Sequence, residues 1–330
     1  MEHQRQILRL GAIVIVLAAA IRLVSAGFFT PAVTFLQQPQ VVSFLMYLET
    51  GHVIRFADKP AQEQPEETSE PQPTQPAVQP EPVLPTFSEQ DLSCLQVQYH
   101  CDYRPELLPL LTKPLTWDLT EDAPTVLIIH THATETYADE AIEYSGTYRT
   151  LQEQYNMLSI GDEIARVLER GGVTVLHDRT LHDYPDYNNA YAAARTTVQA
   201  YLEQYPSIRL VLDIHRDALE SPTGQLITSA TAGGQKSAQL MMVVGTDDSG
   251  NYHPNWQENL SLALKLTAQL EQTNPGICRP IDLRAERFNM DLTAGSLLVE
   301  VGAAGNTHQE ALIAANALAQ SVLEIAKGTG

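Results

Sequence analysis

The sequence predicts an α/β fold, a mostly parallel twisted sheet with helices on both faces, and three observations carry that expectation. Residues 125–129, 210–214 and 297–299 are short apolar runs rich in branched side chains, as strands buried on both faces require. Helical patterns separate them, and strands alternating with helices imply parallel pairing. Each run also ends in side chains able to bind a metal or move a proton: His130-Thr131-His132, His215 and Glu300. In an open parallel sheet the site lies beyond the carboxyl ends of the strands, where such side chains can meet.

The chain of 330 residues opens with attachments rather than with that sheet. Residues 8–29 are almost wholly apolar, with Arg5 and Arg9 in front. At about 22 residues the run is long enough to cross a bilayer, and Arg22 near its outer end can snorkel to the interface. Positive charge ahead of the run places the remainder outside the cytoplasm. Val24-Ser25-Ala26 resembles a small-residue cleavage site, so residues 1–30 are read as a transmembrane anchor with a removable signal as the alternative. Residues 31–56 hold a second apolar stretch, broken by Glu49, Gly51 and Arg55, which fits a membrane-proximal segment. Residues 57–86 turn abruptly to Pro, Gln and Glu. Such a composition cannot bury enough surface to order itself and behaves as a linker, with a reach of up to about 90 Å if fully extended.

Residues 87–330 are the expected catalytic domain. Met157, Ile160, Ile164, Val167 and Leu168 keep helical spacing, and Gly171-Gly172 ends that helix. Residues 173–176 read as a strand. Residues 187–205 read as a helix, with Tyr191, Ala194, Val198, Tyr201 and Leu202 on one face. Strands follow at 210–215 and 240–244, then a helix at 256–270 and a strand at 297–301. The last helix opens with Thr307 and Glu310 at capping-box spacing and turns Ala311, Leu312, Ala315, Leu318 and Val322 inward. No internal repeat is present.

The 44% hydrophobic content is ample for a core, and the net charge of −20 argues against nucleic acid as a partner. Of the three cysteines, Cys94 and Cys101 are near enough in sequence for a small local disulfide, with free thiols as the alternative.

A zinc hydrolase uses neutral imidazoles and usually one carboxylate, leaving a coordination position open. His132, Glu135 and His215 satisfy that count. His130 is a substitute ligand or a partner to one, since in a continuing strand it would project from the same side as His132. Asp213 shares a strand face with His215 and could fix its tautomer. Glu300 lies inside a buried strand, where a carboxylate is costly unless paired, protonated or at a site. Beside a metal it could accept a proton from water. Arg216, Arg284 and Asn289 are candidates for holding substrate, because guanidinium forks suit carboxylates. Arg284 and Asn289 fall in a stretch that reads as loop.

The stretches HTHATETY, NMLSIGDEIARVLERGGVTVLHDRTLHDYPDYNNAY, VLDIHRDA, MMVVGTD, HPNWQENLSLALKL, RFNMDL and LLVEVGAAGNT resemble, in the same order, the stage II sporulation protein P family. The resemblance runs from about residue 125 to the C-terminus, and the anchor and linker suit that family's layout. It implies an amidase-like fold and a zinc-dependent N-acetylmuramoyl-L-alanine amidase, a cell-wall hydrolase with endopeptidase activity as well. In that fold a first-strand histidine, a glutamate and a later strand-end histidine bind zinc, and a glutamate in a Val-Glu-x-Gly context is catalytic. Carried over, this implies His132 and His215 as ligands and Glu300 as the catalytic acid. The remaining ligand is Glu135 by its spacing from the histidines, or Glu153 by its place at the start of the first helix. The resemblance further implies a peptidoglycan substrate and action in the intermembrane space of a sporulating cell during engulfment. A lytic transglycosylase and a membrane scaffold protein would be its partners there. Two rivals remain: a metal-dependent polysaccharide deacetylase, which would release acetate, and a non-catalytic wall-binding module, which would hold no stoichiometric zinc.

Overall fold

The computed structural model describes residues 86–326 apart from 116–117, 140–141 and 222–223. The expected anchor, membrane-proximal segment and linker lie outside the described residues, except for residue 86. Among those described, no helix is long and apolar enough to cross a membrane. Along the chain come α1 (Glu89–Ser93), β1 (Val97–His100), α2 (Leu107–Thr112), β2 (Val126–Ile129), α3 (Met157–Arg170) and β3 (Val175–His177). Then follow α4 (Ala190–Gln204), entered through a 3-10 turn at Tyr187–Asn189, and β4 (Leu210–Asp217). Two small hairpins pair β5 (Glu220–Ser221) with β6 (Gly224–Gln225) and β7 (Ala230–Ala232) with β8 (Gln235–Ser237). Next are β9 (Leu240–Gly245), α5 (Trp256–Thr273), β10 (Ile281–Arg284), β11 (Ser296–Ala303) and α6 (His308–Ala326).

Seven strands form one sheet in the order β1-β10-β9-β11-β4-β2-β3. Every neighbouring pair is parallel except β9 with β11. The sheet is therefore two parallel blocks running in opposite directions. β2, β4 and β11 belong to the same block, so their carboxyl ends share one edge. That shared edge is what brings distant residues together.

Alternation along each strand sends side chains to two apolar layers. Val126, Ile128, Leu210, Leu212, Ile214, Leu297, Val299 and Val301 face the larger one, with α3, α5 and α6. Leu127, Ile129 and Val211 face α4 through Ala194 and Val198. On the α4 side of β9 and β11, Met241, Val243 and Leu298 pack under Met290 and Phe288. The helices cap as their sequences suggest. The Asn156 side chain accepts from the Leu158 amide at 3.0 Å to start α3, and Gly172, at φ 90°, ends it. Thr307 and Glu310 exchange reciprocal bonds of 3.2 Å at the start of α6.

The three cysteines are free thiols. β1 stands between Cys94 and Cys101, and its four residues span about 13 Å, whereas a disulfide needs Cα atoms within about 7 Å.

Gly161 sits inside α3, where glycine normally weakens a helix. A Cβ there would lie 2.6 Å from His130 Nε2 and 2.5 Å from His177 Nε2. Both rings are held in place. His130 Nδ1 donates to the Ile214 carbonyl at 3.0 Å, and His177 Nδ1 donates to Asp162 at 3.0 Å. Alanine would gain about 1 kcal/mol in helix propensity but meet an overpacking cost of about 1–3 kcal/mol. Gly161→Ala is therefore expected to lower the unfolding midpoint in urea, and an unchanged or higher midpoint would show that the rings yield freely.

Candidate functional site

The site grows from the ends of β2, β4 and β11. β2 stops at Ile129 rather than continuing, so His130 and His132 part company. His130 turns under α3, with Nε2 2.8 Å from His177 Nε2, and burial pushes its pKa down to about 3, with His177 adding to the fall. The chain then turns, with the Glu135 amide donating to the His132 carbonyl at 3.1 Å. This turn delivers His132 and Glu135 to the face of the sheet that carries His215.

His132 Nδ1 lies 3.5 Å from Glu135 Oε1, and His215 Nδ1 lies 3.6 Å from Glu135 Oε2. The donor atoms of the three residues all fall within 4.8 Å of one another, and all three residues are buried. Ligands at about 2.0–2.1 Å from a tetrahedral zinc stand roughly 3.3–3.4 Å apart. The observed separations suit shared ligation better than direct hydrogen bonding. The surrounding negative charge favours a cation here, and a metal would take the place of the proton that a ligating His215 must give up. Burial alone would raise Glu135, yet the neighbouring His132 and His215 rings and the charge of Arg216 hold its carboxyl well below the usual range. Burial opposes charge on His215, but Asp213 and then Glu135 carry its pKa well above the imidazole value. Two imidazoles and an ionised carboxylate are a donor set that fits a divalent metal.

Asp213, two residues before His215, holds it from behind. Its Oδ1 is 2.9 Å from His215 Nε2, an approach not aligned with the ring N–H. The Thr131 amide and hydroxyl donate to the same carboxylate at 2.8 and 2.5 Å. Burial raises the Asp213 pKa, but His215 and Thr131 outweigh it and leave it lowered.

Glu300 is the β11 residue paired directly with His215 of β4. Its Oε2 is buried and without a hydrogen-bond partner. Burial pushes its pKa up to about 8; His215 pulls it back, while Glu135 and Asp217 add to the rise. The pairing shifts register between Glu300 and Ala303. Gly302 supplies the left-handed backbone there at φ 73°, and a Cβ on it would stand 2.7 Å from Ala238.

The remaining sequence candidates are placed differently. Glu153 is not in the cluster; it pairs with Arg179 at 2.9 Å. Arg216 is buried and donates to the carbonyls of Thr136, Thr147 and Tyr148 at 2.9, 3.1 and 2.9 Å. These donors, on Nε and Nη2, are committed to the polypeptide. Asn289 adopts φ 63° and its amide donates to the Tyr191 carbonyl at 2.8 Å, which fixes the segment over β9 and β11 to α4. Arg284 ends β10 rather than lying in a loop. Sequence reasoning missed Arg149, Asp183 and Tyr187. Arg149 bonds Asp183 at 2.6 Å, stands 3.5 Å from Glu135 Oε1 and covers the Tyr187 ring at 4.4 Å. Tyr187 in turn stacks on His132 at 4.6 Å, and Tyr191 meets the same ring edge-on. The four-residue spacing of Tyr187 and Tyr191, one helical turn, was the available signal.

Fold and site together define a mixed α/β protein whose strand ends carry two imidazoles and a carboxylate, suited to a metal, beside a half-buried glutamate. The chain belongs to the family of Stage II sporulation protein P, whose model matches residues 43–323. It is 27% identical over 217 residues to Stage II sporulation protein P of Bacillus subtilis (strain 168), covering 62% of this chain and 52% of that protein. The chain thus spans about half the length of that curated relative. Among solved structures, it is similar to the CwlD amidase from Clostridioides difficile in complex with the GerS lipoprotein (14% identity, 60% of this chain, 96% of that chain, TM-score 0.38). It is likewise similar to the N-acetylmuramoyl-L-alanine amidase AmiC2 of Nostoc punctiforme (14% identity, 61% of this chain, 94% of that chain, TM-score 0.35).

Proposed function

We propose that this chain is a zinc-dependent peptidoglycan hydrolase of sporulation, an N-acetylmuramoyl-L-alanine amidase that also cuts peptide cross-links. The observation that carries the reading is the convergence of His132, Glu135 and His215 within 4.8 Å, with Glu300 paired to His215 on the next strand. Membership of the Stage II sporulation protein P family supports the substrate and the setting. Zinc held by the three donors would supply Lewis-acid chemistry, polarising the scissile carbonyl and acidifying water. Glu300, whose ionised form the charge of a bound cation would favour against burial, takes the water's proton at its unpartnered Oε2 and passes it to the departing nitrogen, so one carboxyl serves the addition and the breaking of the C–N bond. Asp213 orients His215, and Arg216 steadies the turn that carries Glu135. Residues 8–29 anchor the chain outside the cytoplasm, residues 57–86 give it reach, and a lytic transglycosylase and a membrane scaffold are its partners.

The test is mass analysis of products from purified cell walls, with metal quantified in the same sample. One zinc per chain is expected, with release of stem peptides bearing a new amino-terminal alanine. Stripping the metal with a chelator should stop release, and zinc should restore it. Release of acetate instead, or digestion that survives complete metal removal, would end this reading.

A further inference from the structure

On the face of the sheet that carries Glu300, a cavity of about 400 Å³ opens over β9, β10 and the end of β1. It begins at Glu300 and ends at His100, Asp282 and Arg284. Its floor follows from register. Glu300 pairs with Met241 and Leu298 with Val243 across β11 and β9, and Val243 pairs with Asp282 of β10. The floor is apolar; Asp217 and Arg279, already paired with each other at 2.7 Å, line the end beside Glu300, and the far end carries charges of both signs. Arg284 Nη1 stands 3.6 Å from Asp282 Oδ2, too long for a good hydrogen bond, and His100 Nδ1 holds the other oxygen of Asp282 at 2.6 Å. Asp282 Oδ2 and the outer guanidinium nitrogens thus present an acceptor and a donor side by side.

We propose that this groove is the subsite for the peptide stem, and that Arg284 with Asp282 reads a stem residue whose side chain ends in both a carboxylate and an ammonium. The inference rests on the hydrolase reading for its substrate class, while the groove itself stands on geometry. Asp282 lies two strands from Glu300 and two residues along, about 12 Å away at strand spacings of about 4.8 Å and 3.3 Å per residue. An extended peptide covers about 10 Å in three residues. A stem that begins at the bond beside Glu300 therefore brings its third residue to the charged pair. In peptidoglycan stems that position holds a diamino acid, in some walls one with a side-chain carboxylate and in others lysine, which lacks it. The Arg284 fork takes the carboxylate, and Asp282 Oδ2 takes the ammonium. With lysine at that position, Asp282 is matched and Arg284 is left without a partner from the ligand.

The test is calorimetric binding of two synthetic tripeptides to the full chain loaded with zinc. One is L-Ala–D-Glu–meso-diaminopimelate and the other L-Ala–D-Glu–L-Lys, which differ by the side-chain carboxylate alone. The intact protein should bind the first about tenfold more tightly, the gain of one charge-assisted contact. Arg284→Gln should erase that preference and leave the lysine peptide's affinity within about twofold, while Arg284→Lys should retain part of it. Equal affinities for the intact protein, no binding of either peptide, or a preference that survives Arg284→Gln would each overturn the proposal. Wall digestion is read separately. Binding with the stated preference but no product release would refute the hydrolase and leave the groove, and digestion without the preference would refute the groove alone.

Discussion

Replacing Glu300 by glutamine is expected to keep zinc at one per chain while lowering wall digestion by about a thousandfold, within the usual range for loss of a general acid–base group. The two side chains have nearly the same shape, so the pairing of Glu300 with His215 across β11 and β4 is preserved. The amide cannot take a proton at the oxygen that has no other partner. Stability should not suffer. Burial already disfavours the ionised carboxyl, and a neutral group in its place removes that penalty. The measurements are metal content, thermal midpoint and product release on one preparation. Substantial residual digestion would remove Glu300 from the chemistry. Lost zinc would recast it as a ligand.

What the sequence could show about this molecule follows from which strands are covered. β2, β4 and β11 lie between two layers, so their residues are almost continuously apolar and stand out. The polar residues that interrupt or end them, Asp213, His215 and Glu300, are conspicuous for the same reason. β1 and β10 read VQYH and IDLR. One face of each packs on the core through Val97, Tyr99, Ile281 and Leu283, and the other opens onto the groove. Polar alternation over four residues is too short to separate from loop, and so both strands were missed. The reversal between β9 and β11 is a property of pairing, and no local pattern encodes it. The choice between Glu135 and Glu153 was open because it depends on the turn after β2. Once Glu135 bonds back to His132 in that turn, Glu153 is left on the surface beside Arg179.

The second large effect concerns Arg216, which the sequence suggested as a substrate contact. Its guanidinium ties three loop carbonyls to the end of β4, and its own amide donates to Glu135 Oε2 at 3.3 Å. Arg216→Met keeps the apolar stem and removes every side-chain donor, leaving the buried Thr136 carbonyl without that partner and freeing the more exposed Thr147 and half-buried Tyr148, whose carbonyl keeps the Thr136 amide. Leaving that buried acceptor unsatisfied costs about 1–3 kcal/mol, which for a domain of this size lowers the thermal midpoint by roughly 5 °C. Amides of residues 134–150 should exchange with solvent faster than those of α5 and α6, because the loop loses its tie while the helical layer does not. Zinc affinity should fall about 10–100-fold, since Glu135 is positioned through this loop. Arg216→Lys keeps the charge but not the fork, and should fall between the two. A substrate contact predicts the reverse pattern: an unchanged midpoint, unchanged zinc affinity and a raised KM. The two patterns share no measurement in which they agree, so a single variant decides whether Arg216 faces the wall or the fold.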